Sequence, residues 1–281
     1  MAAQSDAPTE TDPYLAIARN TSYDLGIGGA IITMIEPHLG REVEYNRWYE
    51  DDHFYHGVMA GPWCFTGRRY LATKALRQVR FPNDSPLADP LEKGIFISVY
   101  FIMANHTEDN FKWTMAAMYD SLRPMGRGYD HRDHVYTSQH TFGFELIFDP
   151  PPMKSWHALN HPYKGIVTEV IAADPSVGRP EVVSWLRDTF VPGRKQKRGQ
   201  CLGFLPLIDQ PSVFGKKESV NLDECICLLW FLTTDPSSEE WPGHFETHGK
   251  ELENYGKAKL LLIAPFIPTI WGTNEYADQL R

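Results

Sequence analysis

Two apolar runs constrain this chain more than any other feature: residues 95–103, Ile-Phe-Ile-Ser-Val-Tyr-Phe-Ile-Met, and residues 225–233, Cys-Ile-Cys-Leu-Leu-Trp-Phe-Leu-Thr. Each reads as the strongest strand of its half, and each falls at the same place in one of two successive series of elements. In the first series a β-branched run at 26–35 ends at Pro37, a charged and aromatic segment with helical spacing covers 41–60, and a strand covers about 63–73. The strand at 94–103 follows a loop rich in Pro, Asp and Asn. Thr107 to Leu122 then reads as a helix: Thr107 can cap it, Glu108 and Asp109 favour its N-terminus, and Pro124 stops it. A strand at about 134–148 runs to the break at Asp149-Pro-Pro-Pro.

The second series repeats the order: a strand at 165–173, a helix from Pro180 to Phe190, a strand from Cys201 to Ile208, the strand at 224–233, a helix from Ser237 to Asn254, and a closing segment at 260–270 read as a Pro-interrupted edge strand. Each half is therefore β-α-β-β-α-β, the ferredoxin-like unit. The helices of such a unit cover one face of its sheet, so the other face needs a cover. A second copy supplies it, and the expected fold class is α+β, with two tandem ferredoxin-like units packed sheet to sheet. The boundaries read as a flexible tail at 1–20, a first unit at 21–149, a Pro-rich linker at 150–164 and a second unit at 165–281.

Composition removes several classes of partner. The net charge of −9 repels phosphate backbones and argues against a nucleic-acid partner. The only dense basic run, Arg194-Lys-Gln-Lys-Arg198, is short and reads as a solvated loop. Residues 1–13 are polar and acidic, unlike a signal peptide, and no apolar run approaches the ~20 residues that span a bilayer. The expectation is a soluble, cytoplasmic protein without a membrane partner, either a monomer or a homodimer formed through exposed strand edges. Cys225 and Cys227 alternate along their strand and read as buried thiols on one face.

The densest chemistry lies in Glu44-Tyr-Asn-Arg-Trp-Tyr-Glu-Asp-Asp-His-Phe-Tyr-His-Gly, followed by Gly61-Pro-Trp-Cys-Phe-Thr-Gly-Arg-Arg-Tyr. An Asn-x-Trp-Tyr-x-x-x-His helix leading into a strand that ends Arg-Arg-Tyr resembles the EthD-like branch of the dimeric α+β barrel superfamily. The resemblance covers about residues 28–73 and extends further only through element order. It implies paired ferredoxin-like units with a pocket between sheet and helices. Its members include cofactor-free cyclases, isomerases and monooxygenases, haem enzymes, and proteins of no known activity. By the same match the histidine of the motif falls on His53 and its aromatic pair on Trp48 and Tyr49. The second half keeps Trp185 but has no matching histidine or tyrosine, so one pocket is expected, in the first half.

Helical periodicity gives a different base. Tyr45, Trp48, Tyr49, Asp52, Tyr55, His56 and Met59 share one stripe, on which Asp52 could orient His56 four residues on. His53 lies on its flank, and a helix break near Gly57 would turn it inward; this reading takes His53 as the base and keeps Asp52 with His56 beside it. In the fourth strand, alternation places His134, Tyr136, Ser138 and His140 on one face, opposite Val135 and Thr137. Tyr136 could then stabilise an oxyanion while His134 moves a proton, as the resemblance to cofactor-free cyclases implies, with Tyr49 as the other candidate for the oxyanion role. Trp48, Trp63, Phe101, Trp113, His140 and Phe144 are candidate substrate-lining residues. His244 and His248, four apart on the last helix with Glu240 nearby, form a lesser metal candidate.

The functional expectation is a cofactor-independent acid/base enzyme, a lyase, isomerase or cyclase, acting on a small apolar, oxygenated or aromatic substrate. The alternatives are a haem- or metal-dependent enzyme on the same fold, or a ligand-binding stress-response protein without turnover.

Overall fold

A computed structural model describes residues 26–148, 153–194, 198–207, 220–238 and 241–281. The tail expected at 1–20, the Asp149-Pro-Pro-Pro break, Lys195 to Lys197 and Glu240 lie outside these residues. The first half runs β1 (Ile27–Pro37), α1 (Glu42–Trp48) widening into a π-helix (Tyr49–Met59), β2 (Cys64–Leu71), a short α2 (Lys74–Gln78), β3 (Phe96–Met103), α3 (Thr107–Ala116) and β4 (Arg132–Ile147). The second half runs β5 (Gly165–Ala173), α4 (Arg179–Trp185), β6 (Arg198–Pro206), β7 (Cys225–Leu232), α5 (Pro242–Glu253) and β8 (Ala258–Pro268). Of these elements, only α2 falls where the sequence indicated loop alone. Among the described residues no helix is long and apolar enough to cross a membrane.

Within each half the strands pair antiparallel in the order 4-1-3-2, with β3 and β7, the two apolar runs, in interior positions. The halves then join edge to edge. β4 pairs with β6 from His140 to Ile147, and β2 meets β8 at Tyr70 and Leu71, giving one closed eight-stranded barrel. The chain thus has the fold of a dimeric α+β barrel, built here from two units in one polypeptide. Closure partners the outer strands of each unit within the chain.

β8 is accordingly not an edge strand. Ile263 exchanges both backbone hydrogen bonds with Phe81 (3.4 and 2.7 Å), so by alternation the nitrogen of Pro265 also points away from β5. The donor that proline lacks is thus missing on the side away from the β5 ladder. The basic run also differs from its reading as a solvated loop. Arg198 is buried at the head of β6, with its guanidinium carbon 4.8 Å from the Trp230 ring centroid and 5.3 Å from that of Trp241.

The barrel interior is apolar and aromatic, with Phe101 and Phe204 stacked at 6.0 Å, Phe142 against Phe204, and the buried thiols Cys225 and Cys227. A second core lies under the second-half helices, around Leu186, Phe190, Trp230 and Phe245. Helix α3 approaches the sheet at Gly29, where an added Cβ would sit 2.2 Å from the His140 carbonyl oxygen and 2.6 Å from Thr107 Cγ2. Thr107 does not cap α3, because His106 precedes the first turn and Thr107 lies against this glycine. Gly29→Ala is expected to destabilise the protein by about 1–3 kcal/mol through overpacking, read as a lower denaturant midpoint at unchanged m.

Candidate active site

A cavity of about 230 Å³ lies between the outer face of β1, β3 and β4 and the first-half helices. Its sheet side presents Thr33, Tyr100, His134 and Thr137, and its helix side Tyr49, His53 and Val58. Met115 from α3, with Met118 and Tyr119 from the π-helix that continues it (Ala117–Leu122), completes the wall.

The π-helix decides which side chains reach this space. Between Tyr49 and Met59 the backbone bonds span five residues, as from the Ala60 N–H to the Tyr55 carbonyl (2.7 Å). The wider turn replaces the 3.6-residue stripe, burying Tyr49, Phe54 and Val58 while Tyr55 and His56 face solvent. His53 turns inward without any helix break. Gly57 leaves the room, since an added Cβ would lie 2.5 Å from His53 Nδ1. On the sheet, Gly67 performs the same service for Tyr100, whose Cδ1 would lie 2.5 Å from a Cβ there.

The His53 imidazole stacks on Trp48 at 4.5 Å and meets Tyr49 edge-on at 5.0 Å. Neither ring nitrogen makes a hydrogen bond among the described residues. Burial, reinforced by the positive charge of Arg132 and by His134 and Arg69, pushes its pKa well below the ordinary histidine value. The imidazole is therefore neutral at physiological pH. Beside it, the Tyr100 hydroxyl donates to the Tyr49 oxygen at 2.9 Å, which leaves the Tyr49 proton to point onward. Burial, with Tyr49 next to it, holds the Tyr100 hydroxyl far above its usual pKa. Arg69, buried against the Tyr49 ring at 4.3 Å and hydrogen-bonded to Asn46 Oδ1 (2.7 Å), anchors the helix from β2.

The fourth strand departs from simple alternation. A β-bulge between Met34 and Ile35 pairs Met34 with Tyr136 but Ile35 with His134, so facing reverses within β4. His134 thereby joins Thr137 on the cavity side, with Nδ1 and Oγ1 2.7 Å apart, and Thr137 is 2.7 Å from Thr33 Oγ1. Burial and Arg132 push His134 down to about 4. Tyr136 and His140 turn the other way. Their Oη and Nε2 lie 2.7 Å apart inside the barrel, and His140 packs against Phe204, so neither lines the cavity as expected from the sequence.

Other expected residues also sit elsewhere. Asp52 and His56 do form a pair (3.0 Å), but it lies outside the cavity, 25% and 56% exposed, with Asp52 also held by Arg127 (Nε to Oδ2, 3.1 Å). Phe101 points into the barrel, because Tyr100, its neighbour of opposite parity, takes the outer face. Phe144 belongs to the second-half core. Trp63 stacks on His106 at 4.6 Å, and Trp113 covers Gly61. Trp48 backs His53 rather than lining the space.

The metal candidate is committed to other bonds. His248 Nε2 lies 2.9 and 3.0 Å from the two Glu169 oxygens, both residues being buried, and Arg198 donates to His244 Nε2 at 2.9 Å. Among the described residues no group of three His, Cys, Asp or Glu side chains is placed to hold a metal ion. Sequence reading missed Tyr100, Thr137, Arg69 and Arg132. A polar Ser98–Tyr100 alternation within the otherwise apolar β3 was the available signal for the first.

No family model matches this sequence, and no curated protein matches it. Among solved structures, the chain is similar to an anthrone oxidase-like protein with a TM-score of 0.52 at 6% identity, covering 87% of this chain and 92% of that one. It is also similar to a candidate chlorite dismutase (TM-score 0.49, 11% identity, 91% and 100% covered). A third is a candidate monooxygenase from Fusobacterium nucleatum (TM-score 0.47, 10% identity, 87% and 94% covered).

Proposed function

We propose that this protein is an EthD-like, cofactor-independent acid/base enzyme acting on a small apolar, oxygenated or aromatic substrate in the first-half cavity. One observation carries the reading: His53 presents a neutral imidazole, unbonded among the described residues, to an apolar cavity beside a tyrosine hydroxyl pair. A general base needs an available lone pair within reach of the proton it takes. His53 removes a proton from a C–H next to a carbonyl, or from a hydroxyl. The negative charge that develops on the substrate oxygen is met by the Tyr49 O–H, itself polarised by the bond it accepts from Tyr100. Ile31, Ile35, Val58 and the two methionines keep water from the carbanion or enolate. This proton abstraction is common to elimination, isomerisation and ring closure.

The test is hydrogen exchange at carbon. The purified protein is incubated in D2O with a panel of carbon acids, including aryl 1,3-diketones, aryl lactones and anthrone. Anthrone enters the panel because a structural neighbour is described as anthrone oxidase-like. Catalysed deuterium incorporation into at least one compound, lost in His53→Gln, is expected. No incorporation with any compound, or undiminished exchange in the variant, overturns the reading, as does a Soret band in the purified protein.

Gly57→Ala supplies a check on positioning. Its Cβ would displace the imidazole without touching its chemistry. A misplacement of this order is expected to lower kcat/KM by about 100-fold while the fold persists by circular dichroism.

A further inference from the structure

The cavity carries a cation that has no ion-pair partner among the described residues. Arg132 opens β4 two residues before His134, so alternation sends both side chains to the cavity side. Its guanidinium carbon lies 4.6 Å from the Trp48 ring centroid, and the residue lines the cavity. Among the described residues Arg132 makes no ion pair and no side-chain hydrogen bond. The acids that could have served are taken: Asp133 lies 3.3 Å from His38, and Asp52 is held by Arg127 and His56. No carboxylate lines the cavity among the described residues, whereas a second cation, Arg123, stands exposed at its rim. Burial first, and then the positive charge of Arg132, lowers the pKa of both His53 and His134.

We propose that Arg132 is the anion-recognition residue of this cavity, and that the substrate carries an ionised oxygen substituent, a carboxylate or its acidic enol or phenol equivalent, on an apolar or aromatic body. The inference rests on the reading of the cavity as the active site and adds the class of ligand that fits it. A planar guanidinium takes a carboxylate through two parallel hydrogen bonds, and in doing so orients the apolar body along Val58 and the methionines toward His53. The bound anion also lies where it restores the balance of charge around two imidazoles that are otherwise held neutral. Arg132 is in this sense a binding and orienting group, separate from the proton transfer at His53.

The probes are 1-naphthoate and its neutral isostere 1-naphthamide, titrated into the full-length protein at low salt. Affinity is read by calorimetry, and the site of binding by the imidazole NMR signals of His53 and His134. Wild type is expected to bind naphthoate about 10–100-fold more tightly than naphthamide, the worth of one charge-assisted contact, with both probes shifting the His53 signals. In Arg132→Gln the two affinities become equal, through loss for naphthoate alone, and Arg132→Lys retains an intermediate preference. Arg132→Lys also serves as the folding control, since it keeps the charge. Equal wild-type affinities with shifted His53 signals overturn the role of Arg132 and leave the cavity reading standing. A preference that survives Arg132→Gln overturns the role as well. Binding that leaves His53 undisturbed, or no binding of either probe, overturns both.

Discussion

His53→Ala is expected to lower turnover by about 10²–10⁴-fold, the range contributed by a positioned general base. The substitution removes an imidazole that makes no hydrogen bond among the described residues and stacks on Trp48, so the folded state survives it and the loss falls on kcat more than on KM. The pH profile gives an independent reading. A base whose pKa is depressed stays competent as pH falls, because it protonates only below its lowered value. The acidic limb of kcat/KM therefore lies well below the ordinary histidine value of 6.5, and activity is level from that pH upward into the neutral range. An acidic limb centred near 6.5 instead would withdraw His53 from the role.

Glu169→Ala carries the largest expected effect on stability, about 3–5 kcal/mol, the cost of removing one partner from a buried ion pair. Glu169 is fully buried on β5 and accepts from Trp230 Nε1 at 2.8 Å as well as from His248. Burial alone would raise its pKa, but the charge and hydrogen bond of His248, together with the bond from Trp230, bring it below the usual 4.5. Its contribution is accordingly complete above that pH and is lost as acid protonates the carboxyl in the folded state. Guanidinium denaturation at neutral pH measures the effect. Glu169→Gln, which keeps an acceptor for Trp230, is expected to cost less. A loss below about 1 kcal/mol for the alanine variant, the level of an exposed pair, would show that the pair is not sequestered. Turnover per folded molecule is expected to be unchanged, because the pair belongs to the second-half core.

The order of the strands and helices was legible because apolar period and capping chemistry are local, and each strand of the barrel lies within a few residues of its expected place. What faces where was less legible. A period of 3.6 put Asp52 and His56 on the inner stripe, whereas the i→i+5 bonding of Tyr49–Met59 puts His53 inward and His56 outward. A single inserted residue in β4 likewise reversed the parity on which Tyr136 and His140 had been placed in the pocket, and brought His134 to Thr137. Both features are changes of register, which composition and period do not encode. Of the residues that carry the resemblance, Tyr49 and His53 line the cavity, whereas the periodic pair Asp52 and His56 lies outside it. Arg132 was invisible for another reason. Its significance lies in the acids that are engaged elsewhere, and that is a property of three-dimensional neighbours.

The joining of both units in one polypeptide has a consequence for how such a molecule can change over time. In an assembly of two identical chains every mutation is made twice, and a residue that benefits one site is imposed on the other. Here each half has its own codons. The space under the second-half helices is taken up by Phe190, Trp230, Phe245 and the Glu169–His248 pair, while the corresponding space in the first half stays open around His53. One half can thus be filled to hold the barrel together while the other keeps an open cavity, and substitutions around that cavity are not copied into the packed half.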